Sequence, residues 1–365
     1  MATQRAPVIP APRVLELTPV ATFPGLRALA WHGHVLYASR SYTLLRADTN
    51  GSDMSWEVVG RFRPPWWRNL TSASRLTCRL FRDGFHALGV LSSGDLIGAV
   101  PGAIITLAPG KTEFRISHKI LRGTRPLHIA VAPGDQIFWG EYFENPRREE
   151  VHIYASTDRG AHWSVAYTFP KGAIRHVHNI VYDQWGDCLW MLTGDNGPEC
   201  RILRASRDFR QVDVVLSGNQ QARAVALVPT PEALYFSSDT PLETNHVYRL
   251  DRRGNLSQSA ALSSSSIYGC RVGDAIFFST MVEPSRANPD RHASVFGSSD
   301  GVSWQRLLQW KKDRWAMGLF QYGNVLLPDG SNTSGLLALT TVAVEQADLE
   351  SSLWLVNSAA QLSVL

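Results

Sequence analysis

The sequence predicts an all-β chain, a seven-bladed β-propeller of four-stranded blades in which an N-terminal strand completes the last blade. Three observations carry that expectation. Arg27, Arg75, Arg125, Arg175 and Arg223 recur at spacings of 48, 50, 50 and 48 residues, each just ahead of an apolar run. A period near fifty marks a closed array of small sheets. Turn motifs built on Asp and Gly fall between the third and fourth strand of two repeats. Finally, 365 residues exceed what one ordinary core holds, which leaves several domains or one domain built by repetition.

Residues 1–13 are rich in Pro and Ala and read as a flexible N-terminal arm, 14–358 as a single propeller and 359–365 as a tail. The stretch 14–23 alternates like a strand but has no partner nearby in sequence. The first repeat offers strands at 27–31, 35–39, 43–47 and 56–62, with Asp48-Thr49-Asn50-Gly51 as the turn between the last two. The second starts at Arg75, with strands near 76–81, 86–91, 96–100 or 104–107, and 114–121. The third spans 125–132 to 163–169, the fourth 175–182 to 212–216, the fifth 223–228 to 256–262 and the sixth 268–272 to 304–309. The seventh, beginning near Arg314, offers only 317–322, 335–344 and 352–357. Strand 14–23 supplies its missing outer member, closing the ring and leaving only short protected edges.

Composition excludes several classes. At 44% hydrophobic and 19% charged, the chain has a globular composition. A net charge of +4 with no Lys/Arg block leaves no footprint for nucleic acid. Cys78, Cys188, Cys200 and Cys270 lie far apart without zinc-type spacing and read as buried thiols. No signal-like apolar region opens the chain, and no run of 18 apolar residues follows. The expectation is a soluble cytoplasmic protein with no membrane partner, with secretion left open if the sequence was trimmed.

Ser156-Thr157-Asp158-Arg159-Gly160-Ala161-His162-Trp163 follows the pattern Ser-x-Asp-x-Gly-x-x-Trp, and Ser298 to Trp304 is a form one residue shorter. The Asp side chain caps backbone N–H groups, Gly takes a positive φ, and Trp packs beneath the hairpin. On these residues the chain resembles the BNR/Asp-box, sialidase-like (glycosyl hydrolase-like) propellers over most of its length. That resemblance implies the propeller fold, with the boxes as structural staples. Sialidases also carry an early Arg-Ile-Pro motif and an arginine triad that grips the sialate carboxylate. Here the early segment reads Pro12-Arg13-Val14, so that hallmark is absent.

In a propeller, the entries to the inner strands and the second-to-third-strand loops share one face over the central channel, opposite the Asp-boxes. That face should collect Arg27, Arg75, Arg125, Arg175, Arg223 and Arg314. The loops bearing Glu141, Tyr142, Glu144, Asp195 and Asp239 should join them. Arginine forks match carboxylates and phosphates, so the expected partner is an anionic saccharide containing uronic or sialic acid. Alternatively, each arginine pairs with an acid of the next blade and clamps the ring. His128 and His178 each lie three residues after a repeat arginine, and His176 shares a strand face with His178. His128, His176 and His178 can hold a divalent metal or supply a base; Asn179, beside His178, and Tyr268, which opens the sixth repeat, are further candidates for binding the substrate.

The mechanism sketched from these residues is lyase-type β-elimination. Arg125 and Arg175 neutralise a sugar carboxylate, His178, His128 or Tyr142 takes the adjacent proton, and Glu141 or Asp195 assists the leaving group. One alternative is a glycoside hydrolase using two of Glu141, Glu144, Asp195 and Asp239. The other is a non-catalytic carbohydrate- or protein-binding propeller, with Pro64-Pro65-Trp66-Trp67 and the region 310–315 as contact surfaces.

Overall fold

A computed structural model describes residues 13–51 and 54–360. Seven antiparallel sheets make the blades of a propeller, and consecutive strands pair as neighbours within each. The last blade runs, from the channel outward, through Asn324–Leu326, Leu336–Val342, Glu350–Ala360 and Arg13–Pro24. The N-terminal strand is therefore its outer edge, paired antiparallel with the chain's last strand in the register Leu17↔Val356. Pairing extends to Arg13↔Ala360, one residue into the expected arm and two into the expected tail. Residues 1–12 and 361–365 of those segments lie outside the described residues.

A second closure was not legible in the sequence. Asp329–Asn332 leaves the last blade and adds a parallel fifth strand to the first, with Trp31 opposite Gly330. Blades are held to one another by apolar side chains. Between the third and fourth, Phe138, Ile153 and Phe169 pack with Ile180, Met191 and Leu203. Between the sixth and seventh, Phe277 and Val295 meet Val325, Leu337 and Leu339, with Leu15 of the N-terminal strand beside them.

Both Asp-boxes form the expected turns between third and fourth strands. Asp158 accepts from the Ser156 hydroxyl and the His162 backbone N–H, and Trp163 reaches back to donate to Ser117 Oγ of the preceding blade at 3.1 Å. In the shorter box, Asp300 accepts from Ser298, Val302 and Ser303. Gly301 there takes φ +71° with the Tyr235 hydroxyl where a Cβ would stand, so only Gly fits.

Three sequence expectations fail. The stretch beginning at Arg75 is a helix, α2 (Arg75–Phe81), which follows α1 (Trp66–Thr71). The inner strand of the second blade is Ala87–Val90. The two helices are an insertion between blades, and their length happened to preserve the arginine spacing. Likewise 317–322 begins with a short helix, α3 (Met317–Phe320), and the inner strand there starts at Asn324. The third failure is one of register. The inner strands of four blades share a bulge, at Ala28/Ala30, Val177/Asn179, Ala224/Ala226 and Ser266/Tyr268. Aligning those bulges makes Arg27, His176 and Arg223 equivalent. Arg175 stands one residue early, so its side chain leaves the strand in the opposite sense.

Candidate functional site at the channel mouth

Three groups of side chains gather around the channel. The first is cationic. Arg27 opens the inner strand of the first blade, and its Nη1 lies 3.2 Å from His86 Nδ1 while Nη2 donates to the His86 carbonyl. His86 Nε2 lies 2.6 Å from the carbonyl of Arg82. That bond places the proton on Nε2 and leaves Nδ1 to accept from Arg27. Arg82 is the left-handed residue (φ +53°) that ends α2. Arg125 donates to Thr124 at 3.0 Å.

Burial, then the charges of Arg27 and Arg82, push the Arg125 guanidinium down to about 10. Burial also lowers Arg27, and together with Arg125 and Arg27 it holds His86 well below its usual value, hence neutral. Among the described residues, none of Arg27, Arg82 and Arg125 has a carboxylate within ion-pair distance, and Arg27 Nε is buried without a hydrogen-bond partner. Like charges assembled without counter-charge are unfavourable unless something else supplies it.

The second group is a dyad in the channel. His128 Nδ1 lies 2.9 Å from Asp329 Oδ2, an arrangement in which the carboxylate fixes the ring and leaves Nε2 as the free nitrogen. Tyr268 packs edge-on against His128 at 5.8 Å between centroids. Burial raises its phenol, and Arg27 and Arg125 act in the opposite direction, so Tyr268 lies within the field of the arginines and stays protonated. Below the dyad runs a cavity of about 810 Å³ lined by His128, Asn179 and Asp329. It extends past Ala226 and Gly269 to Trp185 and Asp274 at the first-to-second-strand turns, and so opens on the Asp-box side.

The third group sits at the opposite mouth, where inner-strand entries meet second-to-third-strand loops. His178 Nδ1 lies 2.9 Å from the Ala224 carbonyl and its Nε2 is 3.0 Å from His176 Nε2. Asp195 approaches both rings, at 3.3 and 3.5 Å, and also meets Arg175 Nη1 at 3.1 Å and Arg223 Nη2 at 3.5 Å. Gly194 sets this loop: at φ +79° a Cβ would lie 1.9 Å from the Glu199 carbonyl oxygen, so no larger residue fits. Burial alone would raise the Asp195 carboxyl. The His176 and His178 rings beside it outweigh that burial and hold Asp195 far below the carboxylate range.

Asp239 behaves oppositely. It is buried, 3.6 Å from Arg223 Nη2, and burial raises it to about 7, with Arg223 opposing and Glu283 and Asp195 adding to the rise. A carboxyl raised on folding contributes stability that is complete below its unfolded value near 4 and is lost as pH rises through about 7. Asp239→Asn is therefore expected to match the wild type in thermal midpoint at pH 4, to gain on it as pH rises to about 7, and to keep a level advantage above that. A constant difference across that range would show that Asp239 is ionised throughout.

Other residues chosen from the sequence go elsewhere. Arg75 is exposed on α2, and Arg314 is exposed over the Trp315 ring. Neither reaches the channel, because helices stand where strands were expected, Arg75 within α2 and Arg314 just ahead of α3. Glu141 is buried and held by Arg122 and the His152 backbone N–H, which makes it a clamp within its blade and not a proton donor. Asp195, held ionised, is equally unsuited to donate a proton. Arg175 is already paired with Glu144 and Asp195. Asn179 donates to the Val225 carbonyl at 2.9 Å and ties two blades together. His128 faces Asp329 and does not join His176 and His178, so the expected three-histidine set is divided. Tyr142 covers His176 at 4.3 Å between centroids, and burial, then Asp195 and Asp239, push its phenol up to about 12.

Sequence reasoning missed Arg82, His86 and Asp329. Arg82 and His86 fell inside the misplaced second repeat, and Asp329 belongs to a strand that crosses between blades. All four cysteines are free, Cys188 and Cys200 buried and the others partly so.

No family model and no curated protein matches the chain. Solved structures do. A chain from the crystal structure of the mitotic checkpoint complex superposes with a TM-score of 0.57 at 11% identity, covering 97% of this chain and 99% of that one. The WD40 β-propeller domain of Doa1 gives 0.54 at 10% identity, covering 94% and 97%. At such identities the likeness establishes the propeller fold and nothing about chemistry. Among the described residues, no helix is long and apolar enough to cross a membrane.

Proposed function

We propose that the propeller binds an anionic saccharide by a uronate or sialate carboxylate at Arg27, Arg82 and Arg125, and acts by lyase-type β-elimination on the uronate, since the carbon next to a sialate carboxylate bears no hydrogen. The observation that carries this reading is the set of three guanidiniums from neighbouring elements with no carboxylate of their own, beside an oriented His–Asp dyad. Once the arginines neutralise the sugar carboxylate, the C–H bond next to it becomes more acidic. His128 Nε2, its ring held by Asp329, takes that proton. The electron pair forms the C=C bond as the C–O bond at the β-position breaks, and the neutral Tyr268 phenol gives its proton to the departing oxygen. Membership of the BNR/Asp-box propellers, supported by the two boxes, is part of the same proposal.

The test is a panel of uronate- and sialate-containing oligosaccharides. Turnover is followed by unsaturated-uronate absorbance and by release of reducing ends. His128→Ala should abolish turnover of the active substrate by a factor of about 100 or more while leaving its affinity nearly unchanged. Turnover that survives His128→Ala would refute the assignment of the base.

A docking role is favoured by a separate observation. Trp66, Leu70 and Phe81 on α1 and α2 are exposed, as are Trp315 and Leu319 at α3, an apolar surface larger than isolated exposed residues make. Saccharide silence across the panel, with loss of a protein partner in Trp66→Ser, would favour that reading instead.

A further inference from the structure

We infer that His176, His178 and Asp195 form a binding site for one first-row divalent metal ion. This does not rest on the elimination proposed above, whose arginines and dyad are different residues. The three side chains offer ligand atoms that all lie within 4.8 Å of one another, on two buried rings and a half-buried carboxylate.

The tautomers decide what the cluster needs. His178 Nδ1 is 2.9 Å from the Ala224 carbonyl, and His176 Nδ1 is 3.2 Å from the Phe143 carbonyl. A carbonyl only accepts, so both ring protons sit on Nδ1. Each Nε2 then presents a lone pair, and the two face each other at 3.0 Å with Asp195 oxygens 3.3 and 3.5 Å away. Three electron-rich groups converging without a proton between them call for a cation. One proton satisfies one pair of these atoms, whereas a metal ion satisfies all three.

The spacing agrees. For bonds near 2.1 Å, neighbouring ligand atoms stand about 3.0 Å apart in an octahedral site and about 3.4 Å apart in a tetrahedral one. The backbone carbonyls on each Nδ1 are the outer partners that orient metal-bound imidazoles and raise their basicity. Two imidazoles and one carboxylate suit zinc, manganese, iron, cobalt or nickel and not calcium. Charge is also compatible. Glu144 meets Arg175 and Asp239 lies 3.6 Å from Arg223, so an acidic group stands beside each of the two arginines that approach Asp195.

The experiment uses the full chain purified without chelator. Metal content is measured by plasma mass spectrometry, and the stripped protein is titrated with Co²⁺ while its d–d absorption is recorded. About one equivalent of metal is expected, with a Co²⁺ spectrum of nitrogen and oxygen ligands. Affinity should fall about a hundredfold or more in His176→Ala and in Asp195→Asn. His292→Ala, which alters a surface His–Asp pair elsewhere, should bind like the wild type. Circular dichroism confirms that each variant is folded. In the wild type, saturating Zn²⁺ should raise the thermal midpoint and chelator should reverse the rise, a readout that needs no variant. A protein that carries no stoichiometric metal and takes up no Co²⁺ would overturn the inference. So would a folded His176→Ala that binds Co²⁺ as tightly as the wild type.

Discussion

Replacing Arg125 with glutamine is expected to weaken binding of the active uronate or sialate oligosaccharide by a factor of about 30 or more. Truncating one partner of a buried charge pair costs about 2–5 kcal/mol, and each 1.4 kcal/mol or so is a factor of ten. The same substitution should leave the unliganded protein as stable as before, or more so. Arg125 sits within the field of Arg27 and Arg82, and their charges, added to its burial, already push its guanidinium down to about 10. Removing one of three like charges relieves repulsion that the ligand's carboxylate would otherwise compensate. Calorimetric titration with the saccharide and a urea midpoint, taken on the same variant, test both halves. Weakened binding with unchanged or raised stability is the signature of a site kept electrostatically strained for a ligand. If both fell together, Arg125 would be a structural residue and the arginine set would not be a ligand site.

Arg79→Met should produce the largest loss of stability of any single change considered. Arg79 is 1% exposed, yet its guanidinium meets Asp313 at 2.6 Å, Asp348 at 3.1 Å and the Phe320 carbonyl. Gln321 returns a bond to the Arg79 carbonyl at 3.0 Å. This one side chain fastens α2, from the insertion after the first blade, to the loop of α3 and to the last blade. Removing it leaves Asp348 without a cation and Asp313 with Lys312 alone, and breaking a buried pair in this way costs about 3–5 kcal/mol. Urea denaturation should record that loss, and hydrogen exchange should show the helices at 66–81 opening first. A loss under about 1 kcal/mol, the range of an exposed pair, would mean that water replaces the guanidinium and that the helices are not fastened there. Since Arg82 ends α2, the variant should also weaken saccharide binding, through displacement of Arg82 and not through direct contact.

The channel architecture was legible in the sequence because it depends on counting. Two Asp-box turns, runs of alternating apolar residues and an unpaired strand at 14–23 are local features, and a ring of small sheets is how such features close. The arginine repeat was half legible. Arg27, Arg125 and Arg223 do stand at the mouth. Arg75 kept the period by coincidence, because a helical insertion of suitable length replaced the strand that the period implied, and Arg314 likewise stands ahead of a short helix where a strand was expected. A seven-residue stretch such as Arg75–Phe81 has too few apolar positions to separate a helical period from a strand period.

What the sequence alone determined is the order of the blades, the strand exchange that closes the ring, and the placing of two histidines, an arginine and Asp195 around one mouth. Only the tertiary structure decided which of them face one another. The bulge at residue 178 falls two residues after His176, as those of the first and fifth blades fall two after Arg27 and Arg223, so His176 and not Arg175 takes their row. Nothing local announces such a bulge, since it arises where strands must bend around the channel. The same holds for His128, whose partner Asp329 lies 201 residues further on. A side chain's chemistry depends on what stands opposite it, and in a closed ring that neighbour is set by packing between blades and not by distance along the chain.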